Sequence, residues 1–143
     1  MSEHESTLFD LKTQEVSSQF GAVNHQLRIY RPEYLKRFGE VGSPEWWAHY
    51  DAGHLSRTFI VGEVTFVGHR PLGTETEDVV SILTDNRTLE YDRDGFWLSD
   101  RVRPGAWVTI ERVKTVCKTP NGPLMNLIDI RITCESERPT HPK

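Results

Sequence analysis

From Arg57 onward apolar and polar residues alternate, and the alternation recurs in five runs separated by turn residues. A period of two marks strands with one buried face. The runs are Thr58–Gly68, Asp78–Thr84, Arg87–Tyr91, Ala106–Cys117 and Leu124–Thr133. Gly62 inside the first run predicts a bend or bulge. Asp85-Asn86 predicts a tight turn, and Lys118-Thr-Pro-Asn-Gly-Pro123 predicts the hairpin joining the last two strands. Phe96-Trp-Leu98 reads as a continuation of the third strand beyond Asp92-Arg-Asp-Gly95. The phrase Val102-Arg-Pro-Gly-Ala-Trp-Val-Thr-Ile110 sets the register of the fourth strand. If Val108 and Ile110 face the core, Trp107 and Thr109 face the other way.

Before Arg57 the pattern is different. Residues 1–20 are polar and without a clear period, which predicts a flexible segment. Leu27-Arg-Ile-Tyr30 alternates like a short strand. Pro32–Phe38 predicts a helix with proline in its first turn and Gly39 as its stop. Ser43, Pro44 and Glu45 then give an N-cap, a first helical residue and a favourable charge for a second helix, which Gly53 closes. Adjacent Trp46 and Trp47 cannot share one helix face, so one is expected to dock and the other to lie nearer solvent. The expected organisation is a flexible segment (1–20), a helical extension packing on a barrel (21–56), a β-barrel domain (57–133) and a disordered tail (134–143).

Composition narrows the function classes. The chain has 143 residues, with 17 Lys and Arg against 21 Asp and Glu, for a net charge of −4. Proteins that coat duplexes non-specifically carry a basic surplus, because phosphate neutralisation supplies much of their affinity. No run reaches the roughly 20 apolar residues of a membrane-spanning helix, and the N-terminus lacks signal-peptide features. A cytoplasmic location and no membrane partner are therefore expected. Cys117 and Cys134 fall at opposite ends of one predicted hairpin, too far apart for a disulfide, so both are expected to be reduced.

A strand through Val61-Gly-Glu-Val64, a hairpin over Val80-Ser-Ile-Leu-Thr-Asp85, a Pro-Gly turn into Trp107-Val-Thr-Ile110 and a closing Leu127-Ile-Asp-Ile-Arg-Ile132 resemble the oligonucleotide/oligosaccharide-binding (OB) fold. The likeness covers about residues 57–133. It implies a mainly β chain built on a small five-stranded antiparallel barrel, with ligands on the middle strands and adjacent loops. One departure is that the family often has a helix between its third and fourth strands, where this chain offers only Ser99–Arg103. An SH3-like barrel is the structural alternative.

The resemblance directs attention to aromatic rings interleaved with basic residues, the combination that binds single strands by stacking and phosphate contact. The candidates are Tyr91, Trp97 and Trp107, with Arg87, Arg101, Arg103, Arg112 and Lys114. Phe96 and Arg93 accompany them, whereas Glu90, Asp92, Asp94 and Asp100 would repel phosphate. In the competing assignment Phe96 and Trp97 cap the barrel, and Trp107 lies beneath the helix holding Trp46.

His49, Asp51 and His54 offer metal-ligand chemistry, but a spacing of five does not put both imidazoles on one helix face as a spacing of four does. No metal or cofactor is expected, and no nucleophile motif or phosphate loop suggests an enzyme. The expected function is single-stranded nucleic-acid binding, as an accessory subunit. The alternative is a protein-interaction or assembly module that uses Trp46 and Trp47 to hold a protein partner or a second copy.

Overall fold

The structure is a computed structural model that describes residues 6–13 and 20–139. The expectations for residues 1–5, 14–19 and 140–143 lie outside the described residues. Six strands form one antiparallel sheet: β1 (Thr7–Asp10), β2 (Arg57–Leu72), β3 (Glu75–Leu83), β4 (Thr88–Asp92), β5 (Trp107–Thr119) and β6 (Gly122–Glu135). Among the described residues three helices, α1 (Gly21–Tyr30), α2 (Pro32–Phe38) and α3 (Pro44–Asp51), lie between β1 and β2 in the chain. None of the described helices is long and apolar enough to cross a membrane.

The strand order is β1-β6-β5-β2-β3-β4. Strands β2, β3 and β4 follow one another as hairpins, and β5 returns to lie beside β2. That order is a Greek key. The sheet does not close, so the expected five-stranded barrel is an open six-stranded sheet, consistent with a small OB-like β fold. The added strand is β1, from a segment read as flexible. It pairs with the end of β6 through Thr7↔Thr133, Phe9↔Ile132 and Asp10↔Arg131. Four residues are too few to show a period, and the ladder to β6, formed far along the chain, is what orders them.

The chain divides into two compact units. One comprises residues up to 10, 59–111 and 129 onward; the other comprises 11–58 and 112–128. The first holds the core cluster Val64, Val80, Ile82, Trp97, Val102, Ala106, Val108, Ile110, Ile132 and Cys134. Val108 and Ile110 are buried while Trp107 and Thr109 are half-exposed, the register that the Pro-Gly phrase predicts. The irregularity expected at Gly62 in β2 lies between Val64 and Phe66. Gly62 is needed for a different reason. A Cβ there would sit 2.5 Å from Ile82 Cγ2 and 2.9 Å from the Leu83 carbonyl, so only glycine lets β2 approach β3 this closely.

In the second unit, α2 and α3 form as the sequence predicts. Pro32 opens α2 and Gly39, with φ of 82°, ends it. The Ser43 hydroxyl caps α3 by accepting from the Trp46 amide at 3.2 Å. The strand expected over Leu27–Tyr30 is instead the last turn of α1. A four-residue alternation fits either period, and the deciding contacts are remote. Leu27 is fully buried. Asn24, one turn earlier, accepts from the Val41 amide at 2.8 Å and donates to its carbonyl at 3.3 Å. A helix places Asn24 and Leu27 on one face, which a strand does not.

Trp46 is the buried partner of the tryptophan pair, at 0% exposure, and Trp47 is half-buried. The Trp46 indole N–H donates to the Tyr34 hydroxyl at 3.1 Å. Its ring also lies 6.3 Å from that of Tyr50, one turn along α3.

Candidate functional site

The candidate site grows from the connection between β4 and β5. A short 3-10 turn at Gly95–Leu98 takes the place expected for a strand continuation, because its Trp97 side chain turns into the core at 5% exposure. From there the chain is stapled at three points. The Val102 amide donates to the Ser99 carbonyl at 3.0 Å, and the Val102 side chain is buried. The Arg103-Pro-Gly-Ala106 turn closes with the Ala106 amide on the Arg103 carbonyl at 3.0 Å. Gly105, with φ of 94°, occupies the third position, as a type II turn requires. Finally the Gly105 amide donates to the Val64 carbonyl at 2.9 Å, and the Val64 amide donates to the Ala106 carbonyl at 2.8 Å.

Holding Val102 and Ala106 inward leaves Arg101 half-exposed and Arg103 exposed. Both line an open cleft of about 320 Å³ with Pro104, Gly105, Ala106 and the end of β6 at Cys134, Glu135 and Ser136. Two arginines and one glutamate are among these lining residues. Trp107 follows Ala106 directly, and the Arg138 guanidinium lies over its ring at 5.1 Å from the centroid.

The floor of the cleft contains a thiol. Cys134 Sγ donates to the Arg101 carbonyl at 3.3 Å. Burial pushes its pKa up to about 11, against smaller lowering effects from Arg101 and Arg103. Both cysteines are free and buried. The unfolded thiol ionises near pH 9, where the folded one still keeps its proton. Stability from this group is therefore whole below about pH 9 and falls as pH rises toward about 11. At pH 8 a thiol reagent should modify Cys134 far more slowly in native protein than in urea-unfolded protein, as read by mass spectrometry of the labelled peptide. Equal rates would show that the floor is open.

The structure separates the other candidate residues. Tyr91 and Trp97 stack on each other, with centroids 4.9 Å apart at 20°, and Phe96 packs on Trp97 at 5.0 Å. Trp97 is thus a core residue and offers no face to a base. Arg87 is exposed at a different cleft, of about 360 Å³, lined by Phe59, Ile60, Val61, Thr84, Asp85 and Asn86. Arg112 and Lys114 belong to the second unit. Lys114 is exposed there, but Arg112 is buried at 8% exposure and its guanidinium is not offered to phosphate. Arg112 continues the buried alternation of Val108 and Ile110, and that alternation breaks only after it, where Val113 is also buried.

Neutralisation removes other cations from consideration. Arg70 pairs with Glu90 and, at 3.4 Å, with Glu77. Arg93 pairs with Asp78 at 3.5 Å. Arg70 and Arg93 are therefore neutralised by carboxylates of β3 and β4.

Contrary to the spacing argument, His49 and His54 do meet, Nδ1 to Nδ1 at 2.8 Å, because α3 ends and the chain reverses at Gly53 with φ of 81°. Their ring centroids are 5.1 Å apart, so the two nitrogens point at each other along a hydrogen bond. A shared metal would need both lone pairs to converge on a third point. No group of three or more potential metal ligands occurs among the described residues.

No family model matches the chain, and no curated protein matches it. Among solved structures, the mitochondrial single-stranded DNA-binding protein Rim1 of S. cerevisiae aligns at 21% identity over 56% of this chain and 94% of that one, with a TM-score of 0.29. A score of that size assigns neither fold nor ligand to this chain.

Proposed function

We propose that the chain binds single-stranded nucleic acid at the cleft formed by the β4–β5 connection and the end of β6. One observation carries this reading: Arg101 and Arg103 line a single cleft with Ala106, the residue before the half-exposed Trp107. Arginines supply phosphate contacts and the ring supplies a stacking surface that any base can use. Sequence preference would be slight, because stacking reads the π-face rather than base edges. Arg87, at its separate cleft, would extend contact to a longer strand.

The test is a salt titration with fluorescent oligo-dT and oligo-U, measured by anisotropy. Each phosphate contact adds about 0.7 to the slope of log K against log salt for single strands. Arg101→Ala/Arg103→Ala should therefore lower the slope by ~1.4. An unchanged slope would place the ligand elsewhere, and no binding at low salt would reject the reading.

A second reading, protein interaction or self-assembly, is favoured by the second unit. There α1 exposes Ile29 and Tyr30, and the β5–β6 hairpin exposes Val116, Met125 and Leu127. Trp46, expected to hold a partner, is buried and cannot. If this surface joins two copies, Met125→Ser/Leu127→Ser should shift the sedimentation coefficient from dimer to monomer. A monomeric parent protein would remove self-assembly.

A further inference from the structure

We infer that the segment following β6 is a built-in competitor for the base-stacking surface, with Arg138 occupying the face of Trp107 that a base would take. The inference rests on the nucleic-acid reading of the cleft and concerns how that site is regulated.

The geometry follows from the chain path. Cys134 anchors the end of β6 through its thiol to the Arg101 carbonyl, and Glu135 and Ser136 then line the cleft rim. Arg138 comes next, exposed to solvent on one side and over the indole at 5.1 Å on the other. A guanidinium is planar and lies on an aromatic face much as a base does. The segment also places the exposed Glu135 in the lining that holds Arg101 and Arg103. The ring is thus engaged by the protein's own Arg138.

Magnitudes decide whether the cover can open. An exposed cation–π contact is weaker than the stacking of a base on an aromatic side chain. A strand that also engages Arg101 and Arg103 therefore displaces Arg138, whereas a lone nucleoside gains little. The cover would act as a threshold that favours oligomers over monomers.

Arg138→Gln tests this in the full chain. The competitor role predicts that oligo-dT binds the variant about two- to fivefold more tightly at fixed salt, with an unchanged salt slope. Weaker binding and a slope reduced by about 0.7 would make Arg138 a phosphate ligand and overturn the inference. Acrylamide quenching of tryptophan fluorescence reads the cover without any nucleic acid. Quenching should rise in Arg138→Gln, and the rise should vanish in a Trp107→Phe background. No rise would overturn the cover alone, whatever the chain binds. A rise with no oligonucleotide binding by either protein would overturn the nucleic-acid reading and the competitor role together.

Discussion

Trp46→Ala should be the most destabilising single substitution in the second unit, at about 3–5 kcal/mol. Two losses combine. The indole is fully buried against the rings of Trp47 and Tyr50, with centroids 4.9 Å and 6.3 Å away. Its N–H is also the donor to the Tyr34 hydroxyl, a group whose pKa burial raises, with smaller opposing effects from Trp46 and Arg31. Removing the indole leaves a cavity too large for α2 and α3 to refill, and it orphans that hydroxyl. The check is urea denaturation followed by far-ultraviolet circular dichroism. Trp47→Ala, at a half-buried position, serves as the comparison and should cost clearly less. Equal costs would mean that the contact with Lys12, 5.5 Å from the Trp47 ring, matters as much as burial.

Trp107→Ala should have the largest effect on binding. Base stacking contributes about 1–3 kcal/mol per base, equivalent to a ~5- to 150-fold weaker Kd at 1.4 kcal/mol per decade. Stability should change little, because the ring lies on the half-exposed side of β5 while Val108 and Ile110 hold the strand to the core. Trp107→Phe should recover most of the affinity, since it keeps an aromatic face. Full affinity in Trp107→Ala, with circular dichroism unchanged, would show that the ring is not part of the interface. Trp97→Ala behaves differently on this account. It should destabilise the first unit through the lost stack with Tyr91 rather than act on binding directly.

The two tryptophans show why the site was only partly legible. In the sequence both stand in mixed polar and apolar surroundings near arginines, and only Trp107 has a register, set by Val108 and Ile110, that assigns its face. Trp97 is inward because a 3-10 turn replaces the expected extended continuation, and a tight turn points its side chain where a strand would not. Arg101 and Arg103 were legible as candidates, but their place in one cleft depends on the type II turn at Pro104-Gly105 being bonded to Val64 and on β6 ending alongside. Arg138 was not legible as a site residue at all. It sits in a polar tail, and only the pairing of β6 next to β5 brings it to Trp107.

What the sequence determined by itself was the local order. The Pro-Gly turn with the register of Val108 and Ile110, the Ser43 cap and the Gly39 stop each act over a few residues, where steric and hydrogen-bonding preferences dominate, and each appears at its expected place. Tertiary structure decided the rest. It made Leu27–Tyr30 a helix through the bond between Asn24 and Val41, and it recruited Thr7–Asp10 as a sixth strand through β6. It also brought Arg138 over Trp107. In each case the deciding contact joins residues distant in sequence, and its energy has no trace in the short-range pattern of the chain.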